Sequence, residues 1–300
     1  MKPRKLYVIG NGFDLQHDIP SKLDQFKQYL RDNDNSVFSE VEEHLPVRED
    51  WCDLEEALAG MDVDAIIDNL GHFMASYGAE DWSDSGHHDF QFEVENLVKR
   101  LSSELRQLFG EWIRLLPIPT PTTALKRLIE LDRTAAFLNF NYTSTLSTLY
   151  GIAPERILFI HGCAAQSDEE LVLGHAWHPQ NRRSLNDRSD IADIDTRLVE
   201  AHDILDGYFS TTFKPSEALI AKNQPFFQGL TSIEQVFVLG HSLSDIDASY
   251  FQALLGQPNV YAAQWHIACR SLDEWLEKQA QLIRWGLNPS SARSISWESL

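Results

Sequence analysis

Short, unbroken apolar runs alternate along this chain with stretches of helical period. Leu6-Tyr7-Val8-Ile9 is the first run and ends in Gly10-Asn11-Gly12; residues 135–140, 156–160 and 236–239 are others of the same kind. Runs of four to six apolar residues closed by small or polar ones read as strands buried on both faces of a parallel sheet. Further strands are expected over 170–173, 260–268 and 294–297. The pattern predicts a helix capped by Ser21 and running to about 32, one capped by Thr122 or Thr123 and running to about 131, and others over 146–150, 196–222, 248–255 and 272–285. Residues 36–116 carry helical periodicity with no strand, and the polar segments 77–88 and 180–195 read as loops. The order gives an α/β fold with a doubly wound, mainly parallel, Rossmann-like sheet. Residues 1–35 and 117–300 would form its nucleotide-binding core, with 36–116 a helical insertion or lid. Pro117, Pro119 and Pro121 make a stiff linker at the return to the core.

Composition narrows the function classes. The formal net charge is −20, which disfavours nucleic acid and anionic membrane surfaces, since both select lysine and arginine. Cys52, Cys163 and Cys269 are dispersed and form no Cys-x-x-Cys pair, so neither a disulfide framework nor a cysteine zinc site is expected. His175 and His178 flank a turn and His87-His88 lie in a polar loop, so no metal is expected either. The N-terminus runs straight into the first strand without the apolar stretch of a signal peptide, and no apolar stretch is long enough to span a membrane. A cytoplasmic protein is the expectation.

The chemistry gathers at the strand ends. Gly10-Asn11-Gly12, Asn141, His161-Gly162 and Gly240-His241-Ser242 each follow an apolar run. In open parallel sheets ligands bind outside the carboxyl ends of the strands, so these groups are placed to converge. Glycines allow close backbone approach to a phosphate or ribose. The dinucleotide fingerprint is incomplete: its third glycine is missing, as is the acidic residue about 20 positions on. Singly, each feature is also an ordinary turn or helix cap. Trp51-Cys52-Asp53-Leu54-Glu55 likewise reads first as an acidic helix start.

Taken together, Ile9-Gly10-Asn11-Gly12-Phe13-Asp14-Leu15, Phe140-Asn141-Tyr142-Thr143, Ile160-His161-Gly162 and the segment from Leu239 to Asp247 resemble the phage abortive-infection AbiH family. Residues 51–55 and Leu173-Gly174-His175 are similar to further features of that family. The family in turn resembles sirtuin-like NAD-binding and NAD-hydrolysing domains. That resemblance implies an antiphage effector that hydrolyses NAD to nicotinamide and ADP-ribose. Gly10 and Gly12, with Asn11 between them, would receive the pyrophosphate and ribose. Asn141 would lie near the nicotinamide ribose and the attacking water, and His161, followed by Gly162, would act as general base. Gly240 and Ser242, with Asp245 beyond, would hold the adenosine half. Thr143 stands where the sirtuin-like motif has an aspartate, and Asp14 could supply a carboxylate to the site. The four-cysteine zinc module of sirtuin deacetylases is absent, so deacetylation is not implied. The implied partners are a nucleotide and, as protein, a second copy or a phage-derived trigger.

Two alternatives remain at this level. The same strand-end groups would serve a nucleotide-binding sensor or assembly module that performs no chemistry. Gly240-His241-Ser242-Leu243-Ser244 also evokes a nucleophile elbow with Ser242 as nucleophile, although Ser244 occupies the place of its last glycine.

Overall fold

The computed structural model describes residues 2–74, 88–128, 131–166 and 171–300. Six strands, β1 (Lys5–Ile9), β2 (Ala136–Asn139), β3 (Ile157–Phe159), β4 (Gln235–Leu239), β5 (Gln264–Cys269) and β6 (Ala292–Ser296), form one sheet in the order β3-β2-β1-β4-β5-β6. All pairings are parallel. This is the doubly wound α/β arrangement that the apolar runs predict, and the strand order reverses between β1 and β4.

The helices in chain order are α1 (Asn11–Gln16), α2 (Leu23–Asn33), α3 (Asn35–His44), α4 (Leu54–Ala57), α5 (Val63–Leu70), α6 (Asp89–Lys99) and α7 (Leu105–Leu115). After β2 come α8 (Thr145–Tyr150), α9 (Thr196–Thr211), α10 (Ser216–Lys222), α11 (Gln224–Gly229), α12 (Ala248–Leu255), α13 (Pro258–Ala262) and α14 (Leu272–Arg284).

The runs of β1, β2 and β4 are largely apolar because both sheet faces are covered there. On β1, Leu6 and Val8 join one buried cluster with Val236, Val238, Phe251 and Trp265, while Tyr7 and Ile9 join the other with Phe137, Leu146 and Leu149. Successive side chains point to opposite faces, so one strand feeds two cores. Phe137, Tyr7 and Phe237 are direct cross-strand partners and stack at 5.1 and 5.0 Å. His266 extends this ladder, stacked on Phe237 at 4.5 Å with Nδ1 accepting from Arg293 Nε. Burial pushes its pKa down to about 4, so it sits there as a neutral aromatic ring.

Several elements differ from the sequence expectation. The Gly10-Asn11-Gly12 segment is not a free turn: α1 starts at Asn11, and the next helix begins at Leu23, two residues after Ser21. Leu171–Val172 are not in a strand, and Glu170 lies outside the described residues. Nor do residues 121–128 form a helix, proline and threonines holding them in turns. The expected 196–222 helix is two helices, divided before Pro215, whose ring cannot continue the first. Likewise 258–262 is helical, with Pro258 at its start, so β5 begins only at Gln264. Residues 77–87 of the expected loop lie outside the described residues, whereas 36–74 and 88–116 are helical without a strand.

The chain divides into two compact units: Met1–Lys22, Gly110–Val172 and Pro215–Leu300 form the first, Leu23–Phe109 and Leu173–Lys214 the second. The second unit gathers both motifs that lie outside the sheet. Trp51, fully buried at a positive φ of 55°, donates from Nε1 to Glu42 at 2.6 Å. Glu55 Oε1 lies 2.9 Å from Nζ of Lys214, whose side chain is entirely buried. Gly174 passes so close to Thr212 that a Cβ there would meet its carbonyl oxygen at 2.1 Å. That approach lets His175 exchange backbone bonds with Thr212 and Lys214. Burial lowers the pKa of the His175 imidazole.

Candidate functional site

The carboxyl ends of β1, β2, β3 and β4 lie side by side, and the backbone ladder runs past the strands themselves. Gly10 N–H donates to Leu239 O, Phe140 N–H to Ile9 O, and Ile160 N–H to Asn139 O, at 2.9 to 3.0 Å. Every strand-end group singled out in the sequence therefore belongs to the first unit and to the carboxyl end of its sheet.

At the switch point the glycines interlock. Gly12 N–H donates to Gly240 O at 2.8 Å. A Cβ on Gly10 would meet His241 Cα at 2.5 Å, and one on Gly12 would meet Gly240 Cα at 2.7 Å. Gly240 itself has φ +71°, where side chains are rarely tolerated. The immediate reason for three glycines is thus contact between the β1–α1 and β4 turns. Asn11 is also engaged, its amide donating to Ser21 O at 2.8 Å and its oxygen accepting from Ser21 Oγ at 2.6 Å.

Beside the interlock lies a buried carboxyl. Asp14 is 1% exposed and accepts from Thr143 Oγ1 at 2.6 Å, with Thr145 Oγ1 a further 3.0 Å from that hydroxyl. Burial pushes its pKa up to about 6, against the pull of Thr143, Thr145 and Asn141. Among the described residues, the other oxygen, Oδ1, and the amide nitrogen of Asn141 are buried and make no hydrogen bond of normal length, although the Asn141 amide is close enough to pull the Asp14 pKa down. Asn141 is itself held by Asn139, whose side chain bonds the Asn141 backbone on both sides.

This carboxyl yields a prediction. Between its ordinary 3.8 and about 6, folded Asp14 retains a proton that the unfolded chain has released. Stability is therefore lost as pH rises through that window, by about 3 kcal/mol in all. Asp14→Asn should raise stability at pH 7.5 by about 1–3 kcal/mol, and the gain should vanish near pH 4. Urea midpoints of both proteins at the two pH values test this, and an unchanged gain at low pH would refute it.

The second half of the site is built of imidazoles around Phe140. His161 and His241 meet its ring edge-on at 5.3 and 4.4 Å, and both are 3% exposed. Asp247, at the start of α12, places Oδ2 3.4 Å from His241 Nε2 and Oδ1 3.9 Å from His161 Nε2. Because Leu243 N–H donates to His241 Nδ1 at 2.9 Å, the proton of neutral His241 lies on Nε2, facing the carboxylate. The His161 carbonyl accepts from Val172 N–H, and Tyr142 OH donates to Val172 O at 2.7 Å. Gly162, at φ +87°, makes the turn that follows.

The remaining predicted residues stand apart from this cluster. Ser242 is exposed, and none of the described hydrogen bonds joins it to an imidazole. Asp245 is exposed and tied to Gln281 and Arg284 of α14. Sequence reasoning missed Asp247, His241 and Thr145 as members of the site. Asp245 and Asp247 are two residues apart in one polar segment, and only the fold decides which is turned inward. Among the described residues no group of three His, Cys, Asp or Glu side chains is arranged to hold a metal ion.

These features define a doubly wound α/β domain with a buried carboxyl and an imidazole–carboxylate–imidazole cluster at its switch point. A family model described as bacteriophage abortive infection AbiH matches residues 6–269, which include all of those groups. The chain belongs to the AbiH family, and its membership supports a role in phage abortive infection. No curated protein and no solved structure matches it significantly. No helix among the described residues is long and apolar enough to cross a membrane.

Proposed function

We propose that this chain is an abortive-infection effector that binds NAD at the carboxyl ends of β1–β4 and hydrolyses it to nicotinamide and ADP-ribose. The reading is supported chiefly by the convergence of Asp14, Asn141, His161 and Asp247 at those ends. Cleavage of the N-glycosidic bond leaves its electron pair on the pyridinium nitrogen and builds positive charge on the ribose. An ionised Asp14 stabilises that charge. Its Oδ1 and the Asn141 amide, neither in a hydrogen bond of normal length, offer an acceptor and a donor to the ribose hydroxyls or the water. His161 accepts the proton of the attacking water, whose oxygen bonds to the ribose carbon. Asp247 favours the imidazolium that results, and general-base help of this kind contributes ~10²–10⁴-fold.

The acid limb of the pH profile should fall near pH 6, as Asp14 takes up its proton and its charge is lost. Release of free nicotinamide from NAD, in cells challenged with phage and with the purified protein, tests the reading. Wild type should exceed His161→Ala clearly, and Asp247→Asn should lose about tenfold or more while keeping its fold. Equal release by wild type and His161→Ala under phage challenge would sink hydrolysis. Binding of NAD without release would then leave the sensor reading, in which the same cluster recognises the nucleotide. The exposed position of Ser242 favours neither a serine nucleophile nor a buried adenosine contact.

A further inference from the structure

We propose a second ligand site in the sheet-bearing unit, an anion site for a phosphomonoester attached to a flat apolar group. A cavity of about 260 Å³ is lined by Arg127, Leu128, Leu131, Arg133 and Tyr150. Its lining combines two arginines with two leucines and the Tyr150 ring. In a chain with 45 acidic and 25 basic residues, most arginines find a carboxylate or carbonyl. Arg4, Arg48, Arg100, Arg183, Arg188 and Arg284 are all ion-paired. Among the described residues, Arg127 and Arg133 have neither a hydrogen bond nor an ion pair, though both face the same cavity. Two guanidiniums match the charge of a phosphomonoester, about −1.5 to −2, whereas a carboxylate would leave one uncompensated.

The cavity wall is built and not incidental. Tyr150 is 2% exposed, and its hydroxyl accepts from Leu128 N–H at 2.9 Å and meets His17 Nε2 at 2.6 Å. Burial pushes its pKa up to about 12, so it stays a neutral phenol. The Arg127 guanidinium lies 5.4 Å from the centre of that ring, a cation–π contact that holds one arm of the site in place. A planar apolar body would fit against the ring edge and the leucines.

The place differs from the strand-end cluster and is linked to it by α1 and α8. Tyr150 ends α8, whose first residue is Thr145 beside Asp14; His17 follows α1, which carries Asp14 itself. Each of these two short helices thus has one end at the strand-end cluster and the other at the cavity wall. The proposal does not depend on the NAD reading, since it rests on groups that reading does not use.

Calorimetric titration of the full-length protein with AMP, adenosine, inorganic phosphate and benzoate tests it. AMP should bind and weaken with salt, phosphate should bind less tightly, and adenosine should not bind. The double variant Arg127→Ala/Arg133→Ala, altered only at exposed side chains, should weaken AMP at least about tenfold. His161→Ala should leave it unchanged, which separates this cavity from the strand-end site. Benzoate binding as tightly as AMP would overturn the phosphate assignment. No AMP binding, or binding that the double arginine variant leaves intact, would overturn the site.

Discussion

Gly240→Ala should destabilise the protein by about 4 kcal/mol or more, and much of it should appear insoluble on expression. Two costs add at this one position. A Cβ would lie 2.1 Å from Phe13 N and 2.4 Å from Gly12 C, and because both are backbone atoms no rotamer change relieves the clash. The φ of +71° adds left-handed strain of about 1–2 kcal/mol. Gly151 is the internal control. It has φ +65° but nothing within 4 Å of its Cβ position, so Gly151→Ala should cost only about 1 kcal/mol. Denaturation midpoints of the two variants separate the terms. Equal losses would show that the turns do not interlock and that Gly240 serves conformation alone. A structural role of this size means that lost NAD turnover in a Gly240 variant is no evidence of nucleotide contact.

Glu55→Gln should cost about 3–5 kcal/mol, the usual loss when one partner of a buried ion pair is removed. Lys214 is the reason: its side chain is wholly buried, and the substitution removes the carboxylate 2.9 Å from its ammonium. Lys214→Met should cost less, since it leaves only the half-buried Glu55 behind, and Glu55→Gln/Lys214→Met should recover most of the loss. A double-mutant cycle in urea measures the coupling directly. Additive single losses would mean that the two residues stabilise the second unit independently, and that the Trp51–Glu55 segment has another purpose.

Much of the sheet was legible because buried parallel strands leave unbroken apolar runs closed by small residues. Leu6–Ile9, 136–139 and 236–239 carry that signature, and each ends where the structure gathers polar groups. The α1 helix was not legible: Gly10 and Gly12 signal a turn, and only packing against Gly240 shows that the second glycine already lies in a helix. The pairing of Glu55 with Lys214 joins residues far apart in sequence across a helix break, and local periodicity holds no record of it. Asp247 was hidden for a different reason. Its neighbour Asp245 has the same chemistry in the same segment, and inward from outward is decided by the short helical turn at 245–247. Asn141, His161 and the Asp14 carboxyl were legible as residues, but not the company His161 keeps with Asp247 and Phe140.

The strand order has a consequence for how the chain is made. Lys5 pairs with Gln235, and Ile9 with Leu239, so the central strand acquires its second neighbour only after some 230 further residues have been made. At bacterial elongation rates of ~5–20 residues per second, β1 waits roughly ten to fifty seconds on the ribosome with an open edge. An apolar strand in that condition is prone to mispairing, and such non-local pairing is slow even in the released chain. Nascent chains that stop short of residue 235 carry Asp14, Asn141 and His161 but lack the turn against which the first two glycines close. Assembly of the strand-end cluster therefore waits until β4 and the turn that follows it have been made.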